Sequence, residues 1–334
     1  FSVLITEKKL IMYPIFICIG YVIVFFLYWW YSKSRIAIHH IDLNFIKNLS
    51  YIKSVFVFSF WSLFGSLSLV SVSQGFSLLT YYFFGPIANG AVALAEQVLM
   101  ALSRVSGTIQ TVFNPQIVQS YSAKKTQEVR SLIDVSHTAL FFVIAITAIP
   151  LFSEAHYVLS VWLTEYPPLL PDLVKIIALY IIIDSLSGPF VSVAYAIGEL
   201  KKYQIIISLI MLGSLALAIL MYMHGFSVIE TACFRIFCAL AVLGYRAHYV
   251  SNKLDKKIFI FFLRRFIKYM IISIIAIFVA DLLTKYFHEG FIRLCMIVII
   301  NFLMVSIMIF YIVLNNDERR NLFSFMREKY GSKL

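Results

Sequence analysis

The chain has 334 residues, of which 61% are hydrophobic, 16% aromatic and only 13% charged. Soluble globular domains run nearer ~25% charged, so this composition excludes one and points to an all-α, polytopic membrane protein. The formal net charge of +11 belongs to membrane topology and not to nucleic-acid binding, because basic residues collect in the cytoplasmic loops of membrane proteins.

Windows of about 20 apolar residues predict nine transmembrane helices. They fall near Leu10–Tyr31, Val55–Phe83, Asn89–Gln119, Ser131–Leu163, Asp172–Ile197, Tyr203–Met223, Ser227–Tyr249, Phe262–Lys285 and Ile292–Leu314. The sequence opens at Phe1 with no Met and no signal-peptide pattern, and an upstream portion is expected. Alternate loops (residues 32–54, 120–130, 199–202, 246–268 and 315–334) hold 4, 3, 2, 7 and 5 Lys or Arg, or 21 of the 28. The opposite side holds Lys8, Lys9, Lys285 and Arg293, so the C-terminus is expected in the cytoplasm and Phe1 outside.

After the first helix, Ile38, Ile41, Phe45, Leu49 and Ile52 recur at helical spacing among Lys33, Arg35, His39, His40 and Lys47. That pattern predicts a basic amphipathic helix on the inner membrane surface over 32–54. Adjacent His39 and His40 point to different faces, which argues against a metal site. The second helix is rich in Ser and Gly, and it carries Gln74 deep in the span. Small residues let helix backbones approach closely in lipid.

The third helix is the most polar. Glu96, Ser103, Gly107, Gln110 and Asn114 fall on one stripe, with Gln97, Arg104, Thr108 and Thr111 on the stripe beside it. The opposite side is Val92, Leu99, Leu102, Val105, Ile109 and Val112. Arg104 lies 15 residues from Asn89, or about 22 Å along the helix, near mid-membrane. A charge at that depth is a functional hypothesis by default, against the alternative of a structural ion pair. If it is a pair, the expected partner is Asp184, at similar depth on another helix.

Helix breakers follow. Gly85-Pro86 closes the second helix, Pro115 lies near the inner end of the third, Pro150 is mid-span in the fourth, and Gly188-Pro189 breaks the fifth just after Asp184. Arg235 sits deep in the seventh helix, where Glu230 is a poor partner. The last two helices are almost wholly apolar at mid-depth and are expected to face lipid. Cys18, Cys233, Cys238 and Cys295 lie within apolar segments and imply neither disulfide nor metal, and no cofactor motif is present.

Several segments together resemble one family. Phe84-Gly-Pro-Ile-Ala-Asn-Gly-Ala with Ala95-Glu-Gln-Val98 is similar to the outer turn and polar helix that open the second lobe of bacterial polysaccharide flippases. Asn114-Pro-Gln-Ile-Val-Gln-Ser-Tyr121 resembles the inner end of that helix. Asp184-Ser-Leu-Ser-Gly-Pro189 and Ala196-Ile-Gly-Glu-Leu-Lys-Lys-Tyr-Gln204 resemble a later signature. The family is the O-antigen and polysaccharide exporter branch of the multidrug/oligosaccharidyl-lipid/polysaccharide superfamily, and the likeness covers roughly Tyr51 to Gln204.

The resemblance implies two six-helix lobes in a V around a central cavity. By that mapping residues 1–31 end the first lobe, about five helices of which lie upstream, and 32–54 form the linker. Residues 55–249 are then the second lobe, 250–314 two extra helices and 315–334 a cytoplasmic tail. It implies flipping of undecaprenyl-pyrophosphate-linked oligosaccharide across the bacterial inner membrane by alternating access, beside other polysaccharide-assembly membrane proteins. Arg104, Glu96, Gln97, Gln110, Asn114, Gln74 and Asp184 are the expected substrate-binding residues. A multidrug exporter with a carboxylate site at Glu96 and Asp184 is the rival reading. A membrane enzyme of polysaccharide assembly is the third, though His156, His224 and His288 stand isolated near helix ends and no catalytic motif is present.

Overall fold

A chain that must satisfy its backbone groups without water has helices as its simplest solution. The computed structural model describes residues 9–35, 49–315 and 318–320, and among these the regular structure is helical, with no strand. Ten α-helices follow in order: α1 Lys9–Arg35, α2 Leu49–Ser122, α3 Thr126–Ser153, α4 Ala155–Trp162, α5 Leu170–Ser185, α6 Gly188–Ile197, α7 Leu200–Met223, α8 Val228–Lys253, α9 Lys257–Tyr286 and α10 Phe291–Met308. A π-helical turn, Ile309–Val313, closes the last of them. Eight segments are long and apolar enough to cross a membrane, as in a polytopic membrane protein. The expected surface helix falls mostly on residues 36–48, outside the described residues.

The chain divides into two units, Phe1–Phe56 and Val57–Leu334. In the first, α1 is apolar on every side, with exposed side chains from Ile15 to Tyr31. The second unit holds everything that follows.

The 74-residue α2 is two helices joined at Gly85, whose φ of 80° and ψ of −176° leave the helical region. Ser77 Oγ donates to Asn89 Oδ1 at 2.8 Å. Twelve residues of straight helix would hold those side chains about 18 Å apart, so the chain doubles back. Arm α2a (49–84) and arm α2b (86–122) thus form a hairpin, and only Gly adopts that φ without penalty.

Beyond residue 56, α2a lies alongside α7. A methyl at Gly65 would sit 2.2 Å from Gln204 Oε1, a methyl at Gly75 would meet Leu215, and Thr80 Oγ1 lies 3.4 Å from Tyr222 Oη. The matching order of the contacts shows the two helices to be parallel. Arm α2b presents Ala88, Ala91, Val92 and Ala95 as a buried seam of small side chains.

α5 is the most enclosed helix, with Leu173, Val174, Ala178, Ile181 and Ile182 buried, and α3 and α8 pack along it. Pro171 starts it, and Pro189 starts α6 after a break at Leu186 and Ser187, as the Gly188-Pro189 pair predicts. Ser227 and Glu230 form a reciprocal capping box on α8, so Glu230 is engaged at its own helix end.

Two expectations are corrected. The segment Ser131–Leu163 is not one helix: α3 ends at Ser153 and α4 begins at Ala155, with the fully buried Glu154 at the junction. The last two helices are not peripheral scaffold only. One side of each joins the core through Tyr269, stacked 4.4 Å from Phe141, and through Asn301, whose Nδ2 donates to Ala145 O at 3.1 Å. Their other sides, including Phe278 and Phe302, are exposed.

Candidate functional site

The hairpin divides the polar stripe of α2b in two. Glu96, Gln110 and Asn114 turn toward other helices. Glu96 Oε1 accepts from Arg235 Nη1 of α8 at 2.6 Å. Gln110 Nε2 donates to Ser106 Oγ at 3.1 Å, and its amide fills the space that a side chain at Gly188 would need. Asn114 Oδ1 accepts from Ser192 Oγ on α6. These contacts tie α2b to α6 and α8.

Gln97, Arg104, Thr108 and Thr111 lie on the other half and are exposed. Thr108 Oγ1 donates to Arg104 O at 3.0 Å and Thr111 Oγ1 to Thr108 O at 2.7 Å, so both hydroxyls serve their own helix. No ion pair reaches Arg104 among the described residues. Gln74 is exposed on α2a. The sequence sets Glu96, Gln110 and Asn114 on one stripe and Gln97 and Arg104 on the stripe beside it; the structure packs the first set and leaves the second open.

The anticipated Arg104–Asp184 pair does not form. Asp184 lies one turn beyond Tyr180 on α5, and the charges that act on it most strongly are Arg246 and then Arg235, both on α8, with no ion pair to either within 4 Å among the described residues. Arg235 completes its surroundings with two rings, its guanidinium 5.1 Å from the Phe76 centroid and 5.5 Å from that of Tyr180. Glu96, Arg235, Asp184 and Arg246 therefore alternate in sign through the bundle. Isolated, each would be costly at this depth; together they are neutral. Arg246, assigned from the sequence to a cytoplasmic loop, instead belongs to α8 and faces the bundle.

Other charged contacts went unforeseen. Glu154 pairs with Arg293: Nη2 donates to Oε2 at 2.6 Å, and Nε stands 2.6 Å from Oε1 without the alignment of a second hydrogen bond. Arg265 of α9 reaches Asp134 of α3 at 3.7 Å and bonds Glu318, while its Nη1 donates to Thr138 at 3.3 Å. His137 is buried with Nε2 2.9 Å from Leu186 O, at the α5–α6 break, between the rings of Phe190 and Phe262. A carboxylate inside the apolar run 131–163 was the available signal for Glu154. Nothing local signals a partner 139 residues away.

No group of three or more His, Cys, Asp or Glu is arranged for a metal among the described residues. What this region offers chemically is binding: one free guanidinium on an open helix face, behind which a neutral charge network fixes the helix. Comparisons with family models, curated proteins and solved structures return no match.

Proposed function

We propose that this protein is a transporter, not an enzyme, that flips an undecaprenyl-pyrophosphate-linked oligosaccharide from the cytoplasmic to the outer leaflet of the bacterial inner membrane. The observation that carries the reading is Arg104: an exposed, unpaired guanidinium midway along an apolar helix, beside Gln97, Thr108 and Thr111. A fixed cation there suits an anionic pyrophosphate, and the adjacent amide and hydroxyls suit sugar. Counting the α2 hairpin as two crossings and α5–α6 as one broken crossing gives nine. The Lys and Arg excess then places the C-terminus in the cytoplasm.

Three features support this reading. The family-like segments coincide with the hairpin turn, the polar arm and the α5–α6 break. Broken helices near mid-depth are the usual hinges and sites of alternating-access transporters. The carboxylates on which a drug exporter would depend, Glu96 and Asp184, already face Arg235 and Arg246, which favours the lipid-linked oligosaccharide.

The test compares surface polysaccharide with protein abundance in cells. Arg104→Ala is expected to leave abundance unchanged and to abolish export. Arg104→Lys should retain part of it, keeping the charge without the planar fork. Normal export by Arg104→Ala at normal abundance would remove Arg104 from the site.

A further inference from the structure

Away from the Arg104 face, a second polar region runs between α2a and α7–α8. Its inner cleft, open to the surface, has a volume of about 190 Å³ and is lined by Gly65, Tyr195, Tyr203, Gln204 and Arg246, among others. Tyr203 is 1% exposed, and among the described residues its hydroxyl has no hydrogen-bond partner; neither has Arg246 Nε, although the two side chains are close enough to act on each other. Tyr195 and Gln204 are held in place: Gln204 Nε2 donates to Tyr195 Oη at 3.3 Å, and Ser62 Oγ lies 3.3 Å from the same oxygen. The close approach at Gly65 pins the Gln204 amide. No carboxylate lines this cavity. A buried hydroxyl and a buried guanidinium N–H left unmatched are costly, and both can donate.

The preceding turns of α2a and α7 and the following turns of α8 line a second, outer cavity of about 430 Å³, with Trp61, Tyr249, Glu199, Lys201, Lys202 and Lys253. Glu199 offsets only one of those lysines, bonding Lys253 Nζ at 2.6 Å. Lys201 Nζ sits 5.8 Å over the Trp61 ring. The two cavities are neighbours along α8: the aromatic and lysine-lined one lies at helix ends, and Arg246 of the other stands about 10 Å from Lys253 along the helix.

We propose that these two neighbouring cavities together bind the phosphate-bearing headgroup of a membrane lipid, with the lysines of the outer one attracting it and Arg246 and Tyr203 of the inner one receiving an oxygen. Basic pockets between membrane helices recognise anionic headgroups in this way, and Lys201 and Lys202, which no carboxylate pairs among the described residues, favour an anion over a cation or a zwitterion. The site stands independently of the transport reading. Its lipid is either a bulk anionic phospholipid or a polyprenyl phosphate, which share this chemistry.

The experiment is native mass spectrometry of the purified full-length protein offered four probes: phosphatidylglycerol, a polyprenyl phosphate, phosphatidylcholine and inorganic phosphate. A phosphate-headgroup lipid is expected to be retained under conditions that strip phosphatidylcholine. Preference for the polyprenyl phosphate identifies a loading site, and preference for phosphatidylglycerol a bulk-lipid site. Replacing both Lys201 and Lys202 by Ala should weaken retention about 30-fold.

Tyr203→Phe should weaken retention about tenfold without lowering thermal stability, since the hydroxyl it removes has no partner among the described residues. Arg246→Gln also unbalances Asp184, so Tyr203→Phe is the discriminating variant. Equal retention of phosphatidylcholine, binding of inorganic phosphate alone, or unchanged retention by Tyr203→Phe would each overturn the proposal.

Discussion

Three arginines within the helices have three different surroundings, and their replacement should separate accordingly. Arg235 bonds Glu96 at 2.6 Å, Arg246 faces Asp184 and a cavity, and Arg104 is exposed. Removing one partner of a buried pair leaves an uncompensated charge, at a cost of about 3–5 kcal/mol. Glu96→Ala and Arg235→Ala should therefore each lower protein abundance, whereas Arg104→Ala should not. Replacing both Glu96 and Arg235 by apolar residues should recover abundance relative to either single change. Immunoblotting of membrane fractions measures this, and equal loss in the double variant would mean the pair is not what stabilises α2b against α8. The periodicity of the sequence marks Glu96 and Arg104 as polar positions of one helix. It does not say which of them is packed, because that depends on Arg235, 139 residues away.

At the scale of elements, breaks and close approaches carry the information. The Gly85-Pro86 and Gly188-Pro189 breaks were legible in the sequence, because Gly at positive φ and Pro without an N–H act locally. The α3–α4 break was not. Pro150 is accommodated within α3, and the chain turns four residues later, where Glu154 meets Arg293. That break depends on a tertiary contact.

Gly65 gives a direct test of helix approach. A methyl there would lie 2.2 Å from Gln204 Oε1. Gly65→Ala should therefore cost about 1–3 kcal/mol through forced displacement, and Gln204→Ala in the same chain should relieve most of it. Thermal unfolding in detergent reads both changes. A Gly65→Ala protein as stable as the parent would mean that α2a and α7 do not approach as closely as described.

For the whole molecule, composition alone indicated the class: 61% hydrophobic residues leave no soluble fold, and eight apolar helices follow. Packing did not follow from composition. Within the second unit the apolar effect cannot choose helix partners in lipid, so small-residue seams, buried ion pairs and side-chain amides choose them. The same economy explains why an unpaired cation is informative. Glu96, Asp134 and Glu154 each pair with an arginine and Asp184 lies in the field of two, whereas Arg104 stands on an open helix face with no ion pair among the described residues. The most direct measurement is therefore of flipping itself. The purified full-length protein is placed in vesicles carrying an undecaprenyl-pyrophosphate-linked oligosaccharide on one leaflet, and the arrival of sugar on the other is followed with an impermeant glycosidase. Arrival accelerated by the parent protein and not by Arg104→Ala is the predicted result; no acceleration by the parent, or equal acceleration by both, would contradict it.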